Sequence, residues 1–142
     1  MLRAMDLLAR REHSQFELAR KLRMKGFAED DIPGTLDSLI KKGLLSDQRF
    51  AQQYCRFRSQ RGFGPRRIEQ ELHERGVSED LVALTLDEYS NQDWKELAES
   101  TWKKKFAGKK PCDYQTWAKQ KRFLQYRGFG DEHSEWLSYG NS

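Results

Sequence analysis

The chain contains an internal repeat, and this feature constrains its fold more than any other. The stretch SQFELARKLRMKGFAED, residues 14–30, aligns with residues 64–80 when 50 is added to each number. The alignment pairs apolar residues and the glycine that follows them: Leu18 with Ile68, Leu22 with Leu72 and Gly26 with Gly76. A weaker third copy, shifted by a further 52, contains Leu124, Arg127, Gly128 and Phe129. A repeat of this length predicts a tandem array of similar structural units.

Composition favours helix in every copy. The 142 residues include only two valines, three isoleucines and four threonines, so there is little β-branched material for strands. Good helix formers such as Leu, Glu, Lys, Arg and Ala dominate instead. A unit of this size buries too little surface to be stable alone, whereas stacked units cover each other's apolar faces. The sequence therefore predicts an all-α fold, a tandem repeat of three-helix modules forming an elongated, curved body.

Signals for the start and end of helices separate the elements of each unit. Ser14 and Glu17 have the S-x-x-E spacing of a capping box. Gly64 suits an N-cap, and Pro65 suits the first helical residue because its missing N–H has no partner there. Further predicted caps and stops are Ser46 and Ser78 at helix starts and Gly26, Gly43 and Gly76 at helix ends.

These signals divide the chain into an N-terminal helix and three modules. The predicted ranges are 1–13 for the helix, 14–60 and 61–108 for complete modules, and 109–142 for a degenerate or truncated module 3. We expect the first helix, Leu2 to Arg11, to pack through Met5 and Leu8. The last module is expected to hold helices from Tyr114 to Arg127 and from Asp131 to Tyr139. In this copy Gln120 and Ser134 replace the apolar residues Ile68 and Val82.

Aromatic residues recur at helical spacing. Phe50, Tyr54 and Phe57 lie at i, i+4 and i+7 of one predicted helix, and Trp94, Trp102 and Phe106 lie on a later one. Core and inter-module packing is the simplest interpretation of these stripes. Stacking on nucleic-acid bases is the alternative.

Charge alternates along the chain. The first helix of every unit is basic and the following region acidic: net +4 at 3–25, −3 at 26–48, +3 at 56–76, −6 at 77–100, +8 at 101–127 and −3 at 128–142. Pairing within modules explains part of this pattern. It does not explain the basic segment 101–127, which contains nine Lys and Arg against a single Asp. A partner with regularly spaced negative charge, such as nucleic acid or a nucleoprotein, is favoured.

The stretch RSQRGFGPRRIEQELHERGV, residues 58–77, concentrates five arginines around a Gly-Phe-Gly-Pro turn. Arg66 and Arg67 occupy the first predicted helical turn, where the macrodipole disfavours each cation by roughly 0.3–1 kcal/mol. A helix selected only for stability would carry Asp or Glu there. The helix N-terminus with these arginines is a candidate receptor for phosphate or carboxylate. A solvated helix face with i,i+3 and i,i+4 charge pairs is the alternative.

Several function classes find no support in the sequence. No apolar run approaches the roughly 20 residues of a membrane span, and no signal peptide is recognisable, so we expect a cytoplasmic protein. Cys55 and Cys112 make no disulfide framework, and the three histidines are isolated, which argues against a zinc site. There is no P-loop motif and no evident acid–base pair. We expect neither an enzyme nor a bound cofactor or metal.

The combined motifs resemble the RecX regulatory proteins of bacteria. The residues that carry the resemblance are SQFELARKLRMKGFAEDDI, GLLSDQRFAQQY, RSQRGFGPRRIEQELHERGVSEDL and KRFLQYRGF, spanning about residues 7–130. The resemblance implies three-helix modules and a negative regulator of homologous recombination and the SOS response. It implies that the chain lodges in the groove of the RecA filament on DNA, suppressing ATP hydrolysis and strand exchange.

Basic residues are the expected contacts with the RecA filament and with single- and double-stranded DNA. The candidates are Arg61, Arg66, Arg67, Arg75, Lys103, Lys104, Lys119, Lys121, Arg122 and Arg127. We expect a monomer with no membrane partner. The alternative hypothesis is a general helical DNA-binding protein, with one unit acting like a helix-turn-helix. The acidic segment 77–100 favours the filament regulator, because a pure DNA binder gains nothing from it.

Overall fold

The computed structural model of the protein describes residues 1–140. Within that range the chain forms nine α-helices and one 3-10 turn, with no β-strand. The helices are α1 Leu2–Arg10, α2 Gln15–Met24, α3 Ile32–Lys41, α4 Asp47–Gln60, α5 Pro65–Glu74, α6 Glu79–Asp87, α7 Asn91–Phe106, α8 Tyr114–Tyr126 and α9 Asp131–Ser134, and the 3-10 turn is Glu29–Asp31. The predicted all-α class is confirmed.

Two compact units can be distinguished, and each is described by itself. Unit 1 consists of Met1–Tyr54 and Glu71–Thr85. Its core is formed by buried residues of the first three helices and the turn that follows: Ala4, Leu7, Leu18, Ala19, Leu22, Ile32, Leu39 and Leu45. Leu18 and Leu22 are the repeat positions that the sequence alignment singled out, so the periodic apolar residues are core residues as predicted.

Helix α1 uses a different face from the predicted one. Ala4 and Leu7 are buried, whereas Met5 remains 37% exposed and Leu8 is half-buried. The prediction that Met5 and Leu8 form the packing face was therefore wrong for Met5. Two overlapping i,i+3 pairs occur in this short helix, and only the surface it packs against decides which pair is buried.

Unit 2 consists of Cys55–Gln70 and the described chain from Leu86 onward. Helix α7 packs on α8 and α9, and α8 packs on α9. Its buried apolar residues are Cys55, Ile68, Trp94, Ala98, Trp102, Leu124, Phe129 and Leu137. Trp94 and Trp102 lie in the core, which confirms the packing interpretation of that aromatic stripe.

The two polar replacements in the third copy are both buried and both hydrogen-bonded. Gln120 accepts a hydrogen bond from Trp102 Nε1 at 2.8 Å and donates one to the Lys109 carbonyl at 3.1 Å. Ser134 donates to the Gly130 carbonyl at 3.1 Å. Buried polar groups are tolerated when they are paired in this way. These replacements therefore complete a specific core in unit 2.

Helix α9 is shorter than the predicted helix from Asp131 to Tyr139, because it ends at Ser134. The carbonyl of His133 accepts a hydrogen bond from Trp136 Nε1 at 2.7 Å instead of continuing a helical ladder. Leu137 then becomes buried, and its carbonyl accepts from Trp117 Nε1 at 2.8 Å. The two indole donors thus end the helix early and hold the following turn in unit 2.

Candidate functional site

Three arginine side chains of unit 2 lie against one aromatic ring. Phe63 stands in the turn between α4 and α5, and its centroid is 3.8 Å from Cζ of Arg58, 4.8 Å from that of Arg67 and 4.7 Å from that of Arg127. Each cation–π contact stabilises by about 0.5–1 kcal/mol at an exposed site. The three guanidiniums nevertheless concentrate positive charge in one place. We call these four residues the Phe63 cluster.

Backbone contacts between α5 and α8 position the Phe63 cluster. The Gly64 N–H donates to the Arg127 carbonyl at 2.7 Å, and the Arg66 N–H donates to the Gly128 carbonyl at 3.1 Å. A Cβ on Gly64 would lie 2.6 Å from Gly128 C, so the close approach requires glycine. The N-terminus of α5 is thus occupied by the C-terminal end of α8. Two backbone N–H groups of the predicted phosphate or carboxylate receptor are therefore already used within the fold, and the Arg66 side chain lies 3.4 Å from the Glu132 carboxylate.

A groove of about 270 Å³ adjoins the Phe63 cluster through Arg127. No carboxylate is among the residues that line it in the described part of the chain. We call it the basic groove, and its lining residues are Ser59, Gln60, Arg61, Gly62, Leu97, Ser100, Thr101, Lys104, Lys105, Phe123 and Arg127. It is a cationic concavity built from the ends of α4, α7 and α8.

Four of the ten predicted contact residues meet here. Arg61, Lys104 and Arg127 line the basic groove, and Arg67 belongs to the Phe63 cluster. Within residues 1–140, Arg61, Lys104 and Arg127 make no ion pair. The Arg127 guanidinium instead donates to the Arg61 carbonyl at 3.1 Å. Their positive charge is therefore not neutralised by the protein itself.

Lys103 and Arg66, by contrast, are engaged in ion pairs. Lys103 Nζ lies 3.4 Å from Glu99 on the same helix, and Arg66 Nη2 lies 3.4 Å from Glu132. Both pairs are well exposed, and such pairs stabilise by only about 0–1 kcal/mol. Their cations remain accessible to a stronger anionic partner.

The three candidates on α8 separate into two groups. Lys119 and Arg122 are exposed and form no ion pair within residues 1–140. The Lys121 side chain is 12% exposed, and its ammonium donates to both the carbonyl and the hydroxyl of Ser134 at 3.0 Å. Lys121 is thus a structural residue of unit 2, and we leave it out of the proposed binding surface.

Arg75 belongs to unit 1, whereas the other candidates belong to unit 2. Its guanidinium stacks on Tyr54 with Cζ 4.7 Å from the ring centroid, and its Nε lies 4.0 Å from a carboxylate oxygen of Glu17. It also donates to the Glu71 carbonyl at 3.0 Å. The charge of Arg75 is therefore used within the fold.

Sequence reasoning missed Lys105, Arg58 and the aromatic partners of the groove cations. Phe57 was assigned to the core, yet it is 50% exposed and lies beneath Arg61, whose Cζ is 4.4 Å from the ring centroid. The i,i+4 spacing of these two residues was the available signal, because such residues are neighbours on a helix surface. Phe63 in the quoted turn gave no comparable signal, since its neighbours come from three elements.

Burial perturbs the pKa of several groups. Burial lowers the pKa of His13 and of His133 from the ordinary value, because it disfavours the charged imidazolium. Burial likewise raises the pKa of the Cys55 thiol to about 11.

Within residues 1–140, no three His, Cys, Asp or Glu side chains are grouped so as to hold a metal ion. No helix in this range is both long and apolar enough to cross a membrane.

Comparison with known proteins then identifies the family. Three family models match the chain, describing the first three-helix domain of RecX at residues 1–39, the second at 46–86 and the third at 92–133. The chain belongs to the RecX family of regulatory proteins. It is 48% identical over 126 residues to Regulatory protein RecX of Pseudomonas putida strain GB-1, covering 89% of this chain and 80% of that protein. Its identity to the RecX of Pseudomonas entomophila strain L48 is 47% over 129 residues, covering 91% of this chain and 83% of that protein.

Two crystal structures share the RecX fold. RecX from Lactobacillus salivarius has a TM-score of 0.74 at 23% identity, covering 94% of this chain and 88% of that chain. Another structure of a regulatory protein RecX has a TM-score of 0.81 at 21% identity, covering 95% of this chain and 68% of that chain. The tandem three-helix organisation is thereby confirmed, with the family ranges broadly corresponding to α1–α3, α4–α6 and α7–α9. The division at residues 13, 60 and 108 stays a prediction.

Proposed function

We propose that the protein is a negative regulator of the RecA recombinase, which it inhibits by binding the RecA–DNA filament and slowing ATP hydrolysis and strand exchange. Membership of the RecX family supports a regulatory role. The observation that carries the proposal further is the presence in unit 2 of cations that no carboxylate of the described chain neutralises. Isolated positive charge of this kind attracts an anionic partner.

The partner is a nucleoprotein rather than bare DNA. A helix-turn-helix protein inserts the N-terminal residues of a recognition helix into the major groove. Here the N-terminus of α5 is covered by Gly128, whose carbonyl already accepts the Arg66 N–H. The exposed acidic residues of segment 77–100, among them Glu79 and Asp80, would also repel phosphates. A filament that presents both DNA and basic protein surfaces is complementary to both charge signs.

The direct test measures DNA-dependent ATP hydrolysis and strand exchange by RecA at increasing protein ratios. We expect both rates to fall as the protein is added, at substoichiometric to stoichiometric amounts. The variant Arg61→Gln should inhibit less well because it removes an unneutralised cation. Its matched control is Arg23→Gln, which removes an exposed arginine already paired with Glu29 at 2.7 Å.

An absence of inhibition at every ratio, with tight binding to free DNA retained, would contradict the proposal. That result would favour the alternative, a general helical DNA-binding protein.

A further inference from the structure

The basic groove contains more positive charge than its helix ends require. The C-terminal segments of α4, α7 and α8 line it, and each helix C-terminus carries about −0.5 of an elementary charge. Four cationic side chains line the same groove: Arg61, Lys104, Lys105 and Arg127. If all three helix ends were fully compensated, an excess of about +2.5 charges would remain. Stabilisation of helix dipoles therefore does not account for the groove.

The floor of the groove is kept open by a glycine. Gly62 has a φ of +88°, and a Cβ there would lie 3.0 Å from Thr101 Oγ1 and 3.4 Å from Arg127 Nη1. A side chain at this position would therefore enter the space between the hydroxyl and the guanidinium. The Ser100 hydroxyl also lines the groove and makes no hydrogen bond within the described residues. The groove thus combines charged donors with a neutral donor.

The aromatic rings at the groove are already covered by cations. Arg61 lies over Phe57, and Phe123 has Arg127 Cζ at 5.1 Å and Lys105 Nζ at 5.7 Å from its centroid. Phe106 meets Phe123 edge-on at 5.3 Å. Base stacking needs an open aromatic face. The rings therefore orient the cations, and the groove offers charge rather than a stacking platform.

The size of the groove indicates the kind of anion. Its volume of about 270 Å³ lies just below the roughly 300–1,000 Å³ of pockets that enclose a whole drug-sized ligand. It is also partly open to solvent. A segment of a longer polyanion fits these dimensions better than an enclosed nucleotide.

We propose that the basic groove binds consecutive phosphate groups of a polyanion, held by Arg61, Lys104 and Arg127 with a hydrogen bond from Ser100. The site recognises phosphate and is indifferent to base identity. Its phosphates come from a nucleic-acid strand or from a free polyphosphate, which present the same chemistry. This inference rests on the proposed function only where the source is a strand of the RecA–DNA filament.

The experiment uses the full chain without RecA, so that its outcome is separate from inhibition of RecA. The affinity of the protein for fluorescein-labelled oligothymidylate is measured at several salt concentrations. Inorganic tripolyphosphate is then added as a competitor. The double variant Arg61→Gln/Lys104→Gln should weaken the binding of both ligands by about tenfold. It should make the log–log salt slope for the single-stranded oligonucleotide shallower by about 1.4, which is about 0.7 for each lost phosphate contact. The control Lys109→Gln, an exposed lysine outside the groove, should change affinity less than about twofold.

Amide chemical shifts provide a measurement that needs no variant. Tripolyphosphate should shift the backbone signals of Gly62, Ser100 and Thr101 in the natural chain. Tighter binding per phosphate by tripolyphosphate than by the oligonucleotide would assign the site to free polyphosphate, and the reverse would assign it to a strand. A double variant that binds both ligands as well as Lys109→Gln, or shifts confined to residues outside the groove, would overturn the proposal.

Discussion

The same helix junction is built twice in this molecule, once in each unit, with opposite electrostatic results. In unit 1 the N-terminus of α2 meets the C-terminal end of α5, where the Ser14 hydroxyl donates to the Arg75 carbonyl at 2.7 Å. In unit 2 the N-terminus of α5 meets the C-terminal end of α8, where the Gly64 N–H donates to the Arg127 carbonyl at 2.7 Å. The repeat alignment pairs Arg75 with Arg127, so equivalent arginines stand at both junctions.

Two substitutions between the copies reverse the charge around that arginine. Glu17, which lies 4.0 Å from the Arg75 guanidinium, corresponds to Arg67 in the next copy. Glu71, whose carboxylate accepts from Tyr54 Oη at 2.9 Å, corresponds to Phe123. The arginine of unit 1 therefore has a carboxylate partner, whereas that of unit 2 is stacked between aromatic rings beside a second arginine.

The comparison shows that the backbone of this repeated position has the same structural role in both units, whereas the charges around its arginine differ. Both copies keep a hydrogen bond to the carbonyl of the equivalent arginine, donated by the Ser14 hydroxyl in unit 1 and by the Gly64 N–H in unit 2. The surrounding side chains are free to differ. In unit 1 a carboxylate, Glu17, lies beside the arginine of the junction, and in unit 2 an arginine, Arg67, takes that position next to the basic groove.

The largest predicted effect concerns the glycine at the unit 2 junction. A Cβ on Gly128, whose φ is +101°, would lie 2.5 Å from Arg67 Cβ. We expect Gly128→Ala to lower the free energy of unfolding by roughly 2–5 kcal/mol, combining backbone strain with overpacking. The control Gly108→Ala has open space around it and should cost only about 1–2 kcal/mol. Urea denaturation monitored by circular dichroism is the measurement, and equal losses would show that the close approach is unimportant.

The next prediction concerns the hydroxyl at the unit 1 junction. Ser14→Ala removes a helix cap and leaves the Arg75 carbonyl without its donor, so we expect a loss of about 2 kcal/mol. Ser90, which is exposed, forms the same kind of capping box at the start of α7. Ser90→Ala should therefore cost about 1 kcal/mol. If the two losses measured by denaturation are the same, the junction bond contributes nothing beyond the cap.

Buried histidines predict how stability depends on pH in each unit. Both have a lowered pKa, so below the ordinary value of 6.5 the unfolded state binds more protons than the native state. Stability should therefore fall as the pH drops below 6.5, by at most about 1.4 kcal/mol per pH unit for each histidine. Denaturation at pH 7.5 and 5.5 measures this slope, and a rise in stability on acidification would contradict it.

Replacing the two histidines should lower the free energy of unfolding by different amounts. His13 is held by the Arg11 carbonyl at 3.0 Å and by Lys21 Nζ at 2.8 Å, whereas buried His133 Nδ1 has no hydrogen-bond partner among the described residues. His133→Phe should flatten the pH slope at little cost at pH 7.5. His13→Phe should flatten it with a larger loss, because the Lys21 ammonium loses its acceptor.

The smallest predicted effect is a difference in the rate of cysteine alkylation, and the thiol of Cys55 reports on the stability of unit 2. Cys55 is buried there with its pKa raised to about 11, so its thiol should resist alkylation in the native protein. Cys112 is exposed and should react first. Gly128→Ala should increase the alkylation rate of Cys55 more than Ser14→Ala does, because Gly128 and Cys55 belong to the same unit. Mass spectrometry measures this rate. The opposite order would mean that the two junctions do not stabilise their own units.

Much of the architecture could be predicted from local signals. The Ser14 capping box is formed, Pro65 is the first residue of α5, and Gly76 has the positive φ of a helix stop. These features depend on neighbours a few residues apart, which a sequence displays directly. The identity of the family followed from the same motifs.

The site was harder to predict because its charges depend on distant neighbours. Lys121 looked like a surface cation, since Gln120 in place of Ile68 concealed which face of α8 is buried. Arg75 and Arg127 looked equivalent until their partners from other helices were known. Only the fold shows that Glu17 lies 4.0 Å from Arg75, while it pairs at 3.2 Å with Arg11.

The central claim is that the unit 2 junction functions through positive charge, at a position where the unit 1 junction has the carboxylate of Glu17. Arg67→Glu converts the second junction to the pattern of the first, since it places a carboxylate where Glu17 stands in unit 1. Inhibition of the RecA ATPase by this variant is the most direct test, with melting temperature as the check on folding. We predict that about tenfold more protein is needed for half-inhibition. The melting temperature should fall by only several degrees, because Arg67 loses its contacts with the Phe63 and Tyr126 rings. Full inhibition by a folded Arg67→Glu variant would contradict the account.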